Sequence, residues 1–334
     1  MKRWTNLALL VLLGSAFTTG WVAFFYGTAP SRWSLVIHAA SGFAIVALTP
    51  WKSVIARNGI RRRRKGWLDS LVFTVLVVVS VVAGLLHSSG LLIQAGPISA
   101  MEVHVGAALL AIPFAVWHVI ARRVPLRGTD LSRRSLLRGG AVLGAASIAY
   151  VSSEALVRIT KLAGSQRRFT GSYAVGSLRP EQLPVTQWMF DSVPSVDAAS
   201  WRLVIAAGGE ARHWSLDELM QFDDRVRATL DCTGGFYSEQ DWSGVWLSRL
   251  LPATTGALSL LVHSSTGYTR RFPIEEAGRL LVATRAGGLP LDAGHGFPVR
   301  LVAPHRRGFW WVKWVTGISA EQLPSWWQVP FPTQ

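Results

Sequence analysis

Five long hydrophobic runs, all in the first half of this 334-residue chain, constrain its fold more than any other feature. A helix needs roughly 20 residues to cross a bilayer core about 30 Å thick. Four runs reach that length, near residues 5–27, 33–51, 67–88 and 101–120, and a weaker fifth covers 139–157. An all-α transmembrane bundle is therefore expected at the N-terminus. The net charge of +15 divides unevenly between the halves. Residues 1–164 hold 18 Lys/Arg against four acids, whereas residues 165–334 hold 16 against 15. The excess sits between apolar runs, which excludes a nucleic-acid partner and points to membrane topology instead.

Lysine and arginine in short loops mark the cytoplasmic side. Lys2 and Arg3 precede the first run; Lys52, Arg57, Arg61, Arg62, Arg63, Arg64 and Lys65 separate the second from the third. Arg122, Arg123, Arg127, Arg133, Arg134 and Arg138 lie between the fourth and fifth, and the two remaining loops hold only Arg32. The N-terminus is then inside, and everything beyond the fifth run is outside. Ser132-Arg133-Arg134-Ser135-Leu136-Leu137-Arg138 resembles a twin-arginine export signal, the type that carries folded domains across, although ordinary positive-inside arginines also explain it. No small-residue cleavage site follows, so the fifth helix is expected to remain as an anchor. The layout is that of a multi-pass protein of the bacterial inner (cytoplasmic) membrane with an extracytoplasmic C-terminal domain.

Ionisable side chains inside a bilayer are costly and mark function. His38, His87, His104 and His118 fall in or at the edge of the apolar runs. His104 and His118 are 14 residues apart on one run, which is about 40° short of four helical turns with a rise of about 21 Å. Both rings project from one face, near opposite sides of the membrane. His38 and His104 lie at matching depth, so they are expected to hold one haem b between them. His87, at the outer edge, is a rival ligand or a supporting group. His118 is a candidate for a second haem but has no histidine partner at its depth. The arrangement over residues 1–125 resembles the small cytochrome b subunits of formate dehydrogenases and hydrogenases. In those subunits a first-span histidine helps hold the inner haem; the first run here has none. Interhelical hydrogen-bonding histidines are the simpler alternative.

From about residue 165 the composition shifts to Pro, Gly and short β-branched runs, giving an α+β domain over 165–334. Residues 126–164 carry the twin-arginine-like segment and the fifth helix. Strands are predicted at 201–205, 226–230, 258–262 and near 299–303, and helices at 216–221 and 274–281. Cys232 is the only cysteine. It cannot form an intramolecular disulfide, and it sits where a strand opens into Thr233-Gly234-Gly235, a turn that lets a bulky ligand approach the backbone.

Four stretches carry a further resemblance. They are Leu230-Asp231-Cys232-Thr233-Gly234-Gly235 with Trp242-Ser243-Gly244-Val245-Trp246-Leu247; Ser265-Thr266-Gly267-Tyr268; His295-Gly296-Phe297-Pro298-Val299-Arg300-Leu301-Val302-Ala303-Pro304; and Arg307-Gly308-Phe309-Trp310-Trp311-Val312-Lys313-Trp314. In order and spacing they resemble the bacterial branch of the sulfite oxidase family of molybdopterin enzymes. The resemblance implies a Mo-molybdopterin cofactor with Cys232 as the thiolate ligand of molybdenum. It implies that His295 and Arg300 grip the pterin and its phosphate, and that Lys313 with Trp311 and Val312 closes over them. Thr266 and the loop Thr186-Gln187-Trp188 would add contacts. Animal and plant relatives have sulfite-binding arginines after the cysteine turn; Phe236-Tyr237-Ser238 stands there instead. Tyr237 and Asp231 are the candidate catalytic groups beside the metal.

The expectation is a multi-domain membrane oxidoreductase acting on a small-molecule substrate outside the cell and exchanging electrons with quinone or another carrier. Two alternatives are a molybdopterin enzyme without haem and a cofactor-free membrane sensor or scaffold.

Overall fold

The computed structural model describes residues 2–61, 66–96, 98–125, 127–188, 191–252 and 256–329. The basic run Arg62–Lys65 therefore lies outside the described residues. The chain divides into two compact units, Met1–Tyr173 and Ala174–Gln334.

Five helices dominate the first unit: α1 (Lys2–Phe25), α2 (Arg32–Arg61), α3 (Trp67–Ser89), α4 (Ala100–Ala121) and α5 (Arg133–Ile159). All five are long and apolar enough to cross a membrane. Four of the expected spans fall inside them and the first, 5–27, overruns α1 by two residues, while α2, with Pro50 inside it, continues ten residues past 51. Hydropathy ends a span where charge begins, whereas a helix continues as long as its backbone bonds are made. α1 packs along α2, and α3 along α4, as two antiparallel hairpins. Leu12, Ala44, Ile45, Leu48 and Ala146 form a buried cluster joining α1, α2 and α5. The strands β1 (Gln94–Ala95) and β2 (Ile98–Ser99) make a small hairpin before α4. Ser99 then caps α4: its hydroxyl accepts the Glu102 N–H at 3.1 Å, and the Glu102 carboxylate accepts the Ser99 N–H at 2.7 Å. A reciprocal cap of this kind fixes where a helix starts, and so fixes the level of His104 one turn later.

β3 (Tyr173–Ala174) marks the seam between the units, and the second unit contains two sheets. Its elements are β4 (Leu203–Ala207), β5 (Glu210–Trp214), α6 (Leu216–Met220), β6 (Asp224–Asp231), β7 (Phe236–Trp246), α7 (Leu247–Leu250), β8 (Ser259–Ser264), β9 (Thr269–Pro273), β10 (Leu281–Ala286), β11 (Leu289–Pro290), β12 (Arg300–Val302) and β13 (Val315–Glu321). One sheet is built around β7 and β10, with β6 beside β7 and both β11 and β12 beside β10. The other runs β5-β4-β13-β8-β9, with β4 and β13 parallel. Trp242, Leu260, Phe272, Leu281 and Leu301, on the strands of these sheets, are buried.

Two expectations shift. The strand expected at 201–205 is β4 at 203–207, because Gly208 and Gly209 both take positive φ and close a two-residue hairpin that pairs Ala207 with Glu210. That turn, not the hydrophobic run, sets the register. The helix expected over 274–281 is a 3-10 turn, Ile274–Arg279, with Leu281 already opening β10. Seven residues separate β9 from β10, and the tighter 3-10 form is common in such short connectors.

Candidate functional site

β6 and β7 pair along their whole length, placing Asp231 across from Tyr237, and the tight turn between them carries Cys232. The Cys232 N–H bonds the Phe236 carbonyl at 2.8 Å, and the Gly235 N–H bonds the Cys232 carbonyl at 3.2 Å. The Gly234 N–H at 3.4 Å and the Thr186 hydroxyl at 3.9 Å are polar neighbours of the sulfur. Desolvation pushes the thiol pKa above its ordinary value, and the Gly234 N–H and Thr186 hydroxyl pull the other way. Left to itself, this site keeps the sulfur protonated.

The turn is held from below. Arg307 donates from Nη2 to the Cys232 carbonyl at 3.1 Å and lies 3.5 Å from the Asp231 carboxylate; both side chains are buried. Gly308 permits this approach, because a methyl there would stand 3.1 Å from the Cys232 Cα. Asp231 is thus committed to a buried ion pair that braces the turn, and Tyr237 sits on the strand facing it.

A cationic wall assembles around residues 292–313. Arg300, on β12, is 1% exposed and lies 5.0 Å over the Trp242 ring and 5.6 Å over Trp311. It donates from Nη1 to the His295 carbonyl at 3.2 Å, while its Nε is buried with no hydrogen-bond partner. Burial pulls its pKa down to about 10. Lys313 donates to the carbonyls of Thr186 (2.7 Å) and Gly294 (2.6 Å). Burial, reinforced by the Arg300 charge, pulls Lys313 down to about 7. A buried and a half-buried cation whose hydrogen bonds go to carbonyls form a ready receptor for an anion.

The remaining sequence candidates support this wall. His295 is buried, with Nδ1 2.8 Å from the Asp292 carboxylate and Nε2 2.9 Å from the Leu183 carbonyl. Both ring nitrogens are engaged with the protein, so His295 ties the 183–188 segment to the 292–295 turn. Trp311 is buried, bonds the Arg306 carbonyl at 3.1 Å and meets Trp242 edge to face, and Val312 is fully buried and pairs with Leu301. Thr266 donates to Asp191 at 3.2 Å, and Trp188 packs against Phe309 and Tyr268. Cys232, Thr186 and Lys313 are directly linked; His295 and Arg300 join through the 292–296 turn. Sequence reasoning gave no role to Arg307 or Asp292. Arg307 stood in a recognised motif, but its partner lies 75 positions away. Among the described residues no group of three or more His, Cys, Asp or Glu could hold a metal ion. A metal at Cys232 would draw its other ligands from a cofactor.

In the first unit the four histidines separate. The rings of His38 and His104 meet with centroids 5.7 Å apart and planes at 89°. His38 Nδ1 lies 2.7 Å from the Ala16 carbonyl, and His104 Nδ1 lies 2.7 Å from the Ser80 carbonyl. Each Nδ1 therefore carries the proton, and each Nε2 keeps its lone pair. His87 is buried and spends Nε2 on the Gly171 carbonyl at 2.8 Å, and its own carbonyl accepts the Tyr173 hydroxyl. His118 lies about four turns along α4 from His104, against Ser70 (3.3 Å) and the Phe73 ring.

Residues 190–327 match the model of the oxidoreductase molybdopterin binding domain. Mitochondrial sulfite oxidase of Rattus norvegicus is 30% identical over 175 residues, covering 41% of this chain and 32% of its own length. The Homo sapiens protein is 29% identical over the same shares. "Uncharacterized oxidoreductase YuiH" of Bacillus subtilis is 34% identical over 73 residues, covering 21% of this chain and 37% of its own. Among solved structures, the sulfane dehydrogenase SoxCD from Paracoccus pantotrophus is similar over 39% of this chain and 40% of that one, with 24% identity and a TM-score of 0.37. The chain spans about a third of the length of the sulfite oxidases it matches.

Proposed function

With residues 190–327 forming an oxidoreductase domain of the sulfite oxidase family, we propose that the whole chain is a membrane-anchored molybdenum oxidoreductase with its electron-transfer unit fused in front. Mo-molybdopterin would be held in the second unit, with Cys232 the protein's ligand to the metal. When bound, the cofactor supplies two-electron, oxygen-atom transfer on a small substrate. The observation that carries this reading is the pairing of the chain's one thiol, on a tight turn, with a cationic wall of buried Arg300 and half-buried Lys313. Arg300, whose Nε has no internal partner, and Lys313 would grip the phosphate and pterin. His295 and Asp292 hold the turn that presents them. Metal ligation needs the thiolate, so the Cys232 proton would leave when the metal binds. Thr186 brings the 183–188 segment to the sulfur, and Trp188 packs that segment against Phe309.

The first unit would sit in the bacterial inner membrane, with the enzyme domain outside. What supports this is the number of exposed apolar side chains on its helices, among them Val11, Leu110, Val75 and Ile148, a surface suited to lipid. The haem b would lie between His38 and His104, whose Nε2 lone pairs are free and whose Nδ1 protons are held by carbonyls, the usual posture of a metal-binding imidazole. His87 then supports the outer end rather than binding iron. Electrons would pass singly through this haem to or from quinone or another carrier.

The test is dye-linked turnover by the purified full chain with sulfite, S-oxides and N-oxides. Wild-type protein should turn over one of these classes and Cys232→Ser none; equal turnover by both would refute the assignment. A reduced-minus-oxidised visible spectrum should show sharp b-type haem bands, and their absence would remove the haem.

A further inference from the structure

The two helical hairpins repeat one device. In the first, the His38 ring on α2 reaches the Ala16 carbonyl on α1 at 2.7 Å. In the second, the His104 ring on α4 reaches the Ser80 carbonyl on α3 at 2.7 Å. A helix carbonyl already accepts the N–H four residues on, and in both cases that residue is glycine: Gly20 follows Ala16, and Gly84 follows Ser80. A methyl at Gly20 would stand 3.0 Å from both Cε1 and Nδ1 of His38. One at Gly84 would stand 2.9 Å from Nδ1 of His104 and 3.1 Å from its Cε1. Both glycines sit on the first helix of a hairpin, and their histidines follow 18 and 20 residues later on the second.

We propose that Gly20 and Gly84 are paired positioning residues. Each opens a notch through which an imidazole reaches a helix carbonyl, so that His38 and His104 are locked nearly perpendicular before haem arrives. The lock has two parts. The carbonyl fixes the tautomer, leaving Nε2 as the only nitrogen available to iron. The missing Cβ fixes the approach, because the Nδ1–Cε1 edge of each ring occupies the space a methyl would take. Since the device occurs once per hairpin, the two hairpins are equivalent halves of one clamp. This rests on the haem reading above.

The test compares Gly20→Ala and Gly84→Ala with Gly14→Ala and Gly106→Ala, where a methyl meets nothing within 4 Å. All are made in the full chain, and haem is measured per molybdenum, so that the enzyme domain reports folding. The two notch variants should keep wild-type molybdenum and lose haem retention by about tenfold or more, the usual effect of disturbing a group that orients a metal ligand. The controls should keep both. Ferric wild-type protein should give the single, strongly anisotropic low-field EPR feature of near-perpendicular axial imidazoles. Notch variants with wild-type haem content and an unchanged EPR signal would overturn the notches while leaving the haem. Wild-type protein without haem bands would overturn both. If neither notch variant accumulates, the wild-type EPR decides: the rhombic spectrum of parallel imidazoles overturns the lock.

Discussion

Lys313 is the residue at which pH should act most visibly. Its pKa in the folded protein is about 7, against an ordinary value of 10.5. The unfolded chain therefore binds more protons between those values, and in cofactor-free protein this group makes stability rise with pH across that window. Anion binding runs the other way, because a phosphate favours the ammonium. When cofactor-free protein is loaded with molybdopterin, the loading advantage of wild type over Lys313→Gln, a ratio in which the Cys232 and phosphate protons cancel, should be constant below about pH 7 and then fall by up to about tenfold per pH unit. A profile unchanged by the substitution would exclude Lys313 from the anion site. At this scale much was legible. Cys232, Arg300 and Lys313 were readable because each lies in a short motif with fixed spacing. Arg307 was not, since what makes it matter is a carbonyl 75 positions away. The roles of Asp231 and His295 were also hidden, because only folding reveals that a carboxylate is spent on an ion pair or that both imidazole nitrogens are engaged.

Among the elements, β7 is the one on which the enzyme domain depends. It pairs with β6 on one side and β10 on the other, and the register with β10 breaks between Ala283 and Arg285. Gly244 sits opposite that irregularity, where a methyl would stand 2.1 Å from the Val282 carbonyl oxygen. Gly244→Ala should destabilise the domain by at least the ~1–3 kcal/mol typical of overpacking. Thermal unfolding of the full chain followed through molybdenum release should show the shift; an unchanged midpoint would mean the strands can part cheaply. The strand was missed in the sequence because Phe236-Tyr237-Ser238-Glu239-Gln240-Asp241-Trp242 reads as polar and turn-like. Its polar members are absorbed locally: Gln240 donates to Gly176 and Ser238, and Asp241 pairs with Arg227. The long helices needed no such partners and were all found, although α2 runs ten residues past its expected end and α5 starts six residues before its expected start.

For the whole molecule, two redox units would share one chain, each with its own cofactor and ligands. That separability is itself testable: His104→Ala should abolish the haem bands while leaving molybdenum untouched, and a normal haem spectrum in that variant would refute the ligand pair. The most direct measurement is the molybdenum content of the purified full chain from a host that makes the pterin, beside Cys232→Ser prepared identically. One molybdenum per chain, lost in the serine variant, is the expected result. A wild-type chain devoid of the metal, or a serine variant that keeps all of it, would contradict the assignment of Cys232 as the anchor of the redox centre.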